Sequence, residues 1–212
     1  MMRVRRLPRL AWQALLVEVA LYRSLARWVV RRPDVPAGTT PISHGRLAGP
    51  MLWLWIFGSA VEVLVLDLVL HRWVPSLRLP FLVLGVWGVL WMLGLLASTR
   101  VRPHLLGDTE LVVRSGARTR VVVPLAALDE ARVVNHDLPG MVRSLHEDDG
   151  LLLVGLGSET NLELVLSAPT TLTTSAGPRT VSRVGLWVDE PRETAVELRR
   201  RRSAPAPRWP AR

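Results

Sequence analysis

The alternation of apolar and polar positions passes through three regimes along this chain. Residues 8–30, PRLAWQALLVEVALYRSLARWVV, place apolar residues at helical spacing. On a 100° wheel, Arg9, Gln13, Arg23, Ser24, Arg27 and Arg31 share one arc. Trp12, Leu15, Val19, Tyr22, Leu25 and Val29 lie mostly across from it, with Glu18 the exception on the apolar side. In residues 51–70, MLWLWIFGSAVEVLVLDLVL, and 79–98, LPFLVLGVWGVLWMLGLLAS, periodicity disappears and nearly every position is apolar. From residue 109 the period falls to two, which predicts short strands.

The two apolar stretches are each 20 residues long. At about 1.5 Å per residue, each helix reaches roughly 30 Å, the thickness of a bilayer's hydrocarbon core. Burial inside a soluble core would account for the same composition, but the residues after 98 are too few to enclose two such helices. Trp53, Trp55 and Trp73 stand near the ends, where amphipathic rings favour the headgroup layer. A two-helix transmembrane hairpin over 51–98 is therefore expected. The earlier helix has only 13 residues between Arg9 and Arg23 and carries Glu18, too short a run to span. A basic stripe beside an apolar face predicts that residues 1–32 form an interfacial helix in the headgroup plane. Residues 33–50, with four prolines and three glycines, read as a linker. No small-residue cleavage site follows the first apolar run, so no secretory signal is expected.

Charge fixes an orientation. The formal net charge is +9, every basic residue is Arg, and Cys is absent. Nine Arg precede the first span against Glu18 and Asp34, whereas the connection HRWVPSLR holds Arg72 and Arg78 alone, and Arg100 and Arg102 follow the second span. The positive-inside rule then predicts a multi-pass protein of the inner (plasma) membrane, both termini cytoplasmic and the short turn outside. Residues 99–198 are net acidic, and the arginines cluster at the chain ends. That distribution argues against a nucleic-acid partner. Without Cys there is no disulfide and no thiolate metal site.

Two acids interrupt the first span. Asp67 lies one turn from its outer end and four residues before His71, so the two share a helix face and are expected to pair at the interface. Glu62 lies near mid-bilayer, where an ionised carboxylate costs roughly 2.5–3.5 kcal/mol on insertion scales. The second span offers it no basic partner. Glu62 is thus expected to be protonated, hydrogen-bonded to Ser59 one turn back, or paired with another chain. In the second span, Gly85 and Gly88, and the small-xxx-small pair Gly94 and Ser98, would let backbones approach within the hairpin or in a homo-oligomer.

The region 99–202 reads as about seven strands closed by a helix. TELVVRS and TRVVVP flank Gly116-Ala117-Arg118 as a hairpin, LAALDEARVV adds a connection and a strand, and DLPGMVRSLHEDDG is an irregular acidic loop. LLLVGL, TNLELVLSA with Leu162, Leu164 and Leu166 inward, TTLTT beyond Pro169, and RTVSRVGLWV follow. DEPRETAVELRRRR closes the region, with Asp189 as expected N-cap, Pro191 in the first turn and Arg199–Arg202 at the C-terminal end. Residues 203–212 are expected to be a disordered tail. The stretches DTELVVRSGARTRVVVPLAAL and VGLWVDEPRETAVELRR, downstream of a hairpin, resemble bacterial membrane-anchored pleckstrin-homology-like domain proteins of the actinobacterial two-span type. The resemblance spans roughly residues 50–200. It implies a mainly-β, pleckstrin-homology-like (PH-like) cytosolic domain that binds or scaffolds without catalytic residues. Eukaryotic relatives hold phosphoinositides with a basic first hairpin, which makes Arg114, Arg118 and Arg120 candidates for lipid-headgroup contact here, within a domain that is acidic overall.

Other chemistry finds little footing. HEDDG at 146–150 offers Glu147, Asp148 and Asp149 to a hard cation, yet reads first as a charged turn. The five histidines show no zinc spacing, and GLGSET at 155–160 reads as a turn rather than a phosphate cradle. No metal, cofactor or enzymatic activity is expected. The sequence predicts a non-catalytic, bilayer-anchored interaction or scaffolding module with a protein partner. Its alternatives are a small transport-complex subunit using Glu62 and an anionic-lipid-sensing module.

Overall fold

The computed structural model describes residues 6–46, 48–137, 145–155 and 159–203. The chain divides into a helical unit, formed by residues up to 34, 45–102 and the turn 116–118, and a β-rich unit formed by 35–44, 103–115 and 119 onward.

Three helices build the first unit: α1 (Arg6–Val29), α2 (Ala48–Trp73) and α3 (Pro75–Val101). Val74 alone separates α2 from α3, and Pro75 opens α3 at a position that needs no N–H donor. Most of the sequence's outer connection is therefore helical, and Arg78 belongs to the first turn of α3. Both α2 and α3 contain stretches long and apolar enough to cross a membrane, Gly49–Trp73 and Pro75–Val101, with mean hydropathies of 1.9 and 2.2. Only 6% and 11% of their most apolar windows are buried, so neither is enclosed within this unit. Gly85 sets the approach of α2 to α3: a Cβ there would lie 2.4 Å from Val63 Cγ2.

α1 packs along α3. Leu21 is buried against Gly94, where an added Cβ would stand 3.1 Å from Leu21 Cβ. Trp87 Nε1 donates to Glu18 at 2.8 Å, and the Asp34 amide donates to the Val101 carbonyl at 2.8 Å. These contacts advance together along both chains, so α1 and α3 run in the same direction. Gly94, expected to serve the hairpin or an oligomer, instead receives α1. The side chains of Arg9 and Gln13 lie outside the described residues.

The second unit holds a nine-stranded sheet. Its strands are β1 (Thr40–Ile42), β2 (His104–Leu106), β3 (Glu110–Ser115), β4 (Thr119–Pro124), β5 (Leu128–Arg132), β7 (His146–Asp148), β8 (Leu151–Val154), β10 (Leu162–Thr174) and β11 (Gly177–Leu186). A separate ribbon pairs β6 (His136–Asp137) with β9 (Glu159–Thr160). The main order is β1-β2-β3-β4-β10-β11-β8-β7, with β5 also on β10; among the described residues only β8 and β11 pair in parallel. Helix α4 (Pro191–Ser203) places Ala195 and Leu198 in the core with Leu111, Val121, Leu164 and Leu186.

Several expectations shift. The linker 33–50 contributes β1, an edge strand pairing Thr40 with Leu106 and Ile42 with His104; Pro41 is tolerated because an edge position leaves its missing N–H unneeded. The main sheet has nine strands rather than about seven, because runs of two or three residues are too short to show alternation. TNLELVLSA and TTLTT form one strand, β10, bulged between Val165 and Thr170 around Pro169. Its first half pairs with β5 and its last residues with β4. The helix after β11 starts at Pro191, so Glu190 rather than Asp189 precedes it, and the Asp189 amide donates to the Ser43 carbonyl. The middle of the acidic loop, the glycine turn at 156–158 and the tail from 204 lie outside the described residues.

Candidate functional site

The polar groups of the helical unit fall into three places. The first is a cleft of about 290 Å³ between α2 and α3, lined by Ser59, Glu62, Asp67, Gly88 and Met92 among others. Ser59 does not serve Glu62. Its hydroxyl donates to Met92 Sδ across the helix pair at 3.8 Å, and the Glu62 side chain remains exposed on the cleft. Gly88, where a Cβ would meet nothing within 4 Å, keeps this part of the cleft open.

The second place is the turn between α2 and α3. Asp67 does not pair with His71 directly. Arg78 grips both its oxygens, Nε to Oδ1 at 2.7 Å and Nη2 to Oδ2 at 3.0 Å, while Nη1 lies 3.4 Å from His71 Nδ1. A guanidinium fork matches a carboxylate in two parallel bonds, which a single imidazole nitrogen cannot do. The one-turn start of α3 before the apolar span is what brings Arg78 within reach.

The third is the contact of α1 with α3. Glu18, the wheel's exception, accepts from Trp87 Nε1 and from the Tyr22 hydroxyl at 3.2 Å. Its position on the apolar face is explained by these two donors. Nearer the end of α1, Arg23, Ser24, Arg27, Asp34 and Arg102 line a polar cleft of about 280 Å³, with Arg27 and Arg102 both turned to Asp34.

In the β unit, the predicted hairpin is formed by β3 and β4, with Gly116 at φ 57° and Arg114 opposite Arg120. Arg118 and Arg120 are exposed, but Arg114 is partly buried, and its amide donates to His104 Nδ1 at 2.9 Å. The three arginines therefore do not form one equally exposed set. HEDDG becomes β7 and a turn with Asp149 at φ 42° and Gly150 at φ 71°, with Glu147 3.4 Å from Arg179. Among the described residues, no group of three or more His, Cys, Asp or Glu side chains could hold a metal ion.

Two buried polar arrangements escape sequence reasoning. His44 and His104 stack at 4.3 Å with 20° between their planes. His104 Nδ1 accepts from the Arg114 amide, which leaves Nε2 as the donor to the Trp187 carbonyl at 2.8 Å. Burial, reinforced by His44, pushes the His104 pKa down to about 3 and holds the ring neutral. Glu163 is 5% exposed, with His136 Nε2 at 2.7 Å and Arg183 Nη1 at 3.8 Å. Period two puts Glu163 on the face opposite Leu162 and Leu164, where solvent would be expected; His136, from the β6–β9 ribbon, reaches it there. No spacing signal announces either arrangement, because His44 and His104 are 60 positions apart and His136 and Glu163 are 27.

Compared with known proteins, the chain matches no family model, no curated protein and no solved structure.

Proposed function

We propose that this chain is a non-catalytic integral membrane protein in which α2 and α3 cross a bilayer and the β unit serves as a PH-like interaction or scaffolding module. The observation that carries the reading is the outward apolar surface of the helix pair. Leu54, Phe57, Leu64 and Leu68 on α2, and Leu79 and Val83 on α3, are each at least 61% exposed. A contiguous apolar surface of this extent is unstable in water and is at rest in lipid. The PH-like part is supported by a run of strands closed by a C-terminal helix that fills the core with Ala195 and Leu198.

Arginine placement supports an inner-membrane orientation with the Val74 turn outside and the β unit in the cytosol. α1 enters differently from the sequence expectation. A helix that accompanies α3 from Trp87 to Gly94, if α3 crosses a bilayer, follows its direction and does not lie flat in the headgroup plane. Arg23 to Arg32 then stay near the cytoplasmic end of α3, and the apolar residues before Arg23 descend beside it. The arginine count alone therefore no longer holds the N-terminal end on the cytoplasmic side.

A second reading, a transport-complex subunit, draws on one observation: Glu62 and Asp67 line the same cleft. The two readings separate under Glu62→Gln. The scaffold reading predicts unchanged abundance and unchanged partner capture by tagged full-length protein in mild detergent, with capture lost on substitution of exposed β-unit residues. Loss of function in Glu62→Gln at normal abundance would displace the scaffold in favour of transport.

A further inference from the structure

We infer that the polar cleft lined by Arg23, Arg27, Arg102 and Asp34 binds a phosphate-bearing anion, supplied by the headgroup of an anionic membrane lipid. Three arginines line the cleft against one carboxylate, Asp34, so it carries a net positive charge. Arg23 and Arg27 are one turn apart on α1 and share a face. Asp34 organises the other two: it forms an ion pair with Arg27, and its Oδ2 lies 3.9 Å from Arg102 Nε. Its own position is fixed by its amide bond to the Val101 carbonyl. Arg23 makes no hydrogen bond or ion pair among the described residues, and its side chain is exposed at the cleft. The arrangement is thus partly built by internal pairing and has one guanidinium left to engage a ligand.

A guanidinium presents two parallel N–H donors that match two oxygens of a phosphate, and the positive charge of Arg27 and Arg102 beside the Arg23 fork favours an oxyanion over chloride. The position in the chain selects the source. Arg102 is the residue immediately after α3 ends, so on the reading that α3 crosses a bilayer, on which this inference rests, the cleft stands at the headgroup level of the cytoplasmic leaflet. Beyond Arg23, the exposed side chains of Leu15 and Val19 continue along α1 as an apolar surface suited to an acyl chain.

The test uses the full-length chain in nanodiscs of equal phosphatidylglycerol and phosphatidylcholine, released into mild detergent, with the retained lipid counted by native mass spectrometry. Phosphatidylglycerol should be retained several-fold over phosphatidylcholine, Arg23→Gln should abolish that preference, and Arg23→Lys, which keeps the charge, should retain most of it. A parallel arm measures the thermal midpoint in pure phosphatidylcholine discs with and without inorganic phosphate. A phosphate-dependent rise, sensitive to Arg23→Gln and unaccompanied by a phosphatidylglycerol preference, would keep the anion site and overturn its lipid source. Equal retention of both lipids with no phosphate response, or a preference that survives in Arg23→Gln, would overturn the site itself while leaving membrane insertion standing. A chain that fails to enter the discs would overturn the membrane reading and the lipid source together.

Discussion

Leucine has opposite surroundings in the two units. Leu64 and Leu68 of α2 are 70% and 71% exposed, whereas Leu162, Leu164 and Leu198 of the β unit are fully buried. The same side chain points outward in one and inward in the other, a difference that the proposed membrane reading assigns to the solvent around each unit. Polar groups follow the inverse rule. In the β unit Asn161 exchanges two bonds with the Val188 backbone, at 2.8 and 2.9 Å, and His104 is satisfied on both ring nitrogens. In the helical unit the contacts are between helices: Trp87 to Glu18, Arg78 to Asp67, Ser59 to Met92. Apolar burial organises the β unit, and close backbone approach with a few polar clasps organises the helices.

The sharpest way to break this contrast is a matched truncation. Leu164→Ala should destabilise the β unit by about 2–5 kcal/mol through lost burial and a residual cavity. Leu64→Ala should change stability by no more than about 0.5 kcal/mol, because on the proposed membrane reading its surroundings are lipid before and after. Both are read by proteolysis of full-length protein in detergent across a denaturant series. Equal effects would mean that the helices are packed like a soluble core.

Acid should find the β unit first. His104 is neutral when folded, with a pKa near 3 against about 6.5 unfolded, so below 6.5 the unfolded state binds the extra proton. Its stabilising effect is complete above pH 6.5 and is lost as pH falls toward 3, at a slope approaching about 1.4 kcal/mol per pH unit for one proton. Burial is the main cause, His44 and Arg114 add to it, and Asp189 and the Trp187 carbonyl oppose it. His104→Asn should lower stability at neutral pH and flatten the slope in equilibrium unfolding; an unchanged slope would show that the proton binds elsewhere.

A smaller effect sharpens the helical side. Gly85→Ala, which drives a Cβ to 2.4 Å from Val63, should destabilise the hairpin by about 1–3 kcal/mol, while Gly88→Ala, facing open space, should be neutral. Thermal stability in detergent separates them, and similar midpoints would contradict the assigned helix contact.

What the sequence revealed follows the same division. Long apolar runs and the β3–β4 hairpin are local signals, and both apolar helices, that turn and the closing helix stand where pattern placed them. Strands as short as β1 and β9 carry too few residues to show a period. The bulge in β10 disguised one strand as two, since Pro169 reads locally as a stop. Site residues were the least legible, because pairing is decided between elements. Asp67 chose Arg78 over His71 only once the tight turn at Val74 extended α3, and the cleft at Arg23, Arg27 and Arg102 forms only when α1 lies along α3. Tertiary proximity has no sequence period.

The absence of Cys from the chain permits a direct test of the central claim, that α2 and α3 cross a bilayer with the Val74 turn outside. Ser76→Cys, beside that turn, and Ser175→Cys, in the β10–β11 turn, are expressed singly and exposed to a membrane-impermeant maleimide on intact spheroplasts. Ser76→Cys should label at once and Ser175→Cys only after permeabilisation. Equal labelling of the two before permeabilisation, or of neither, would contradict the account.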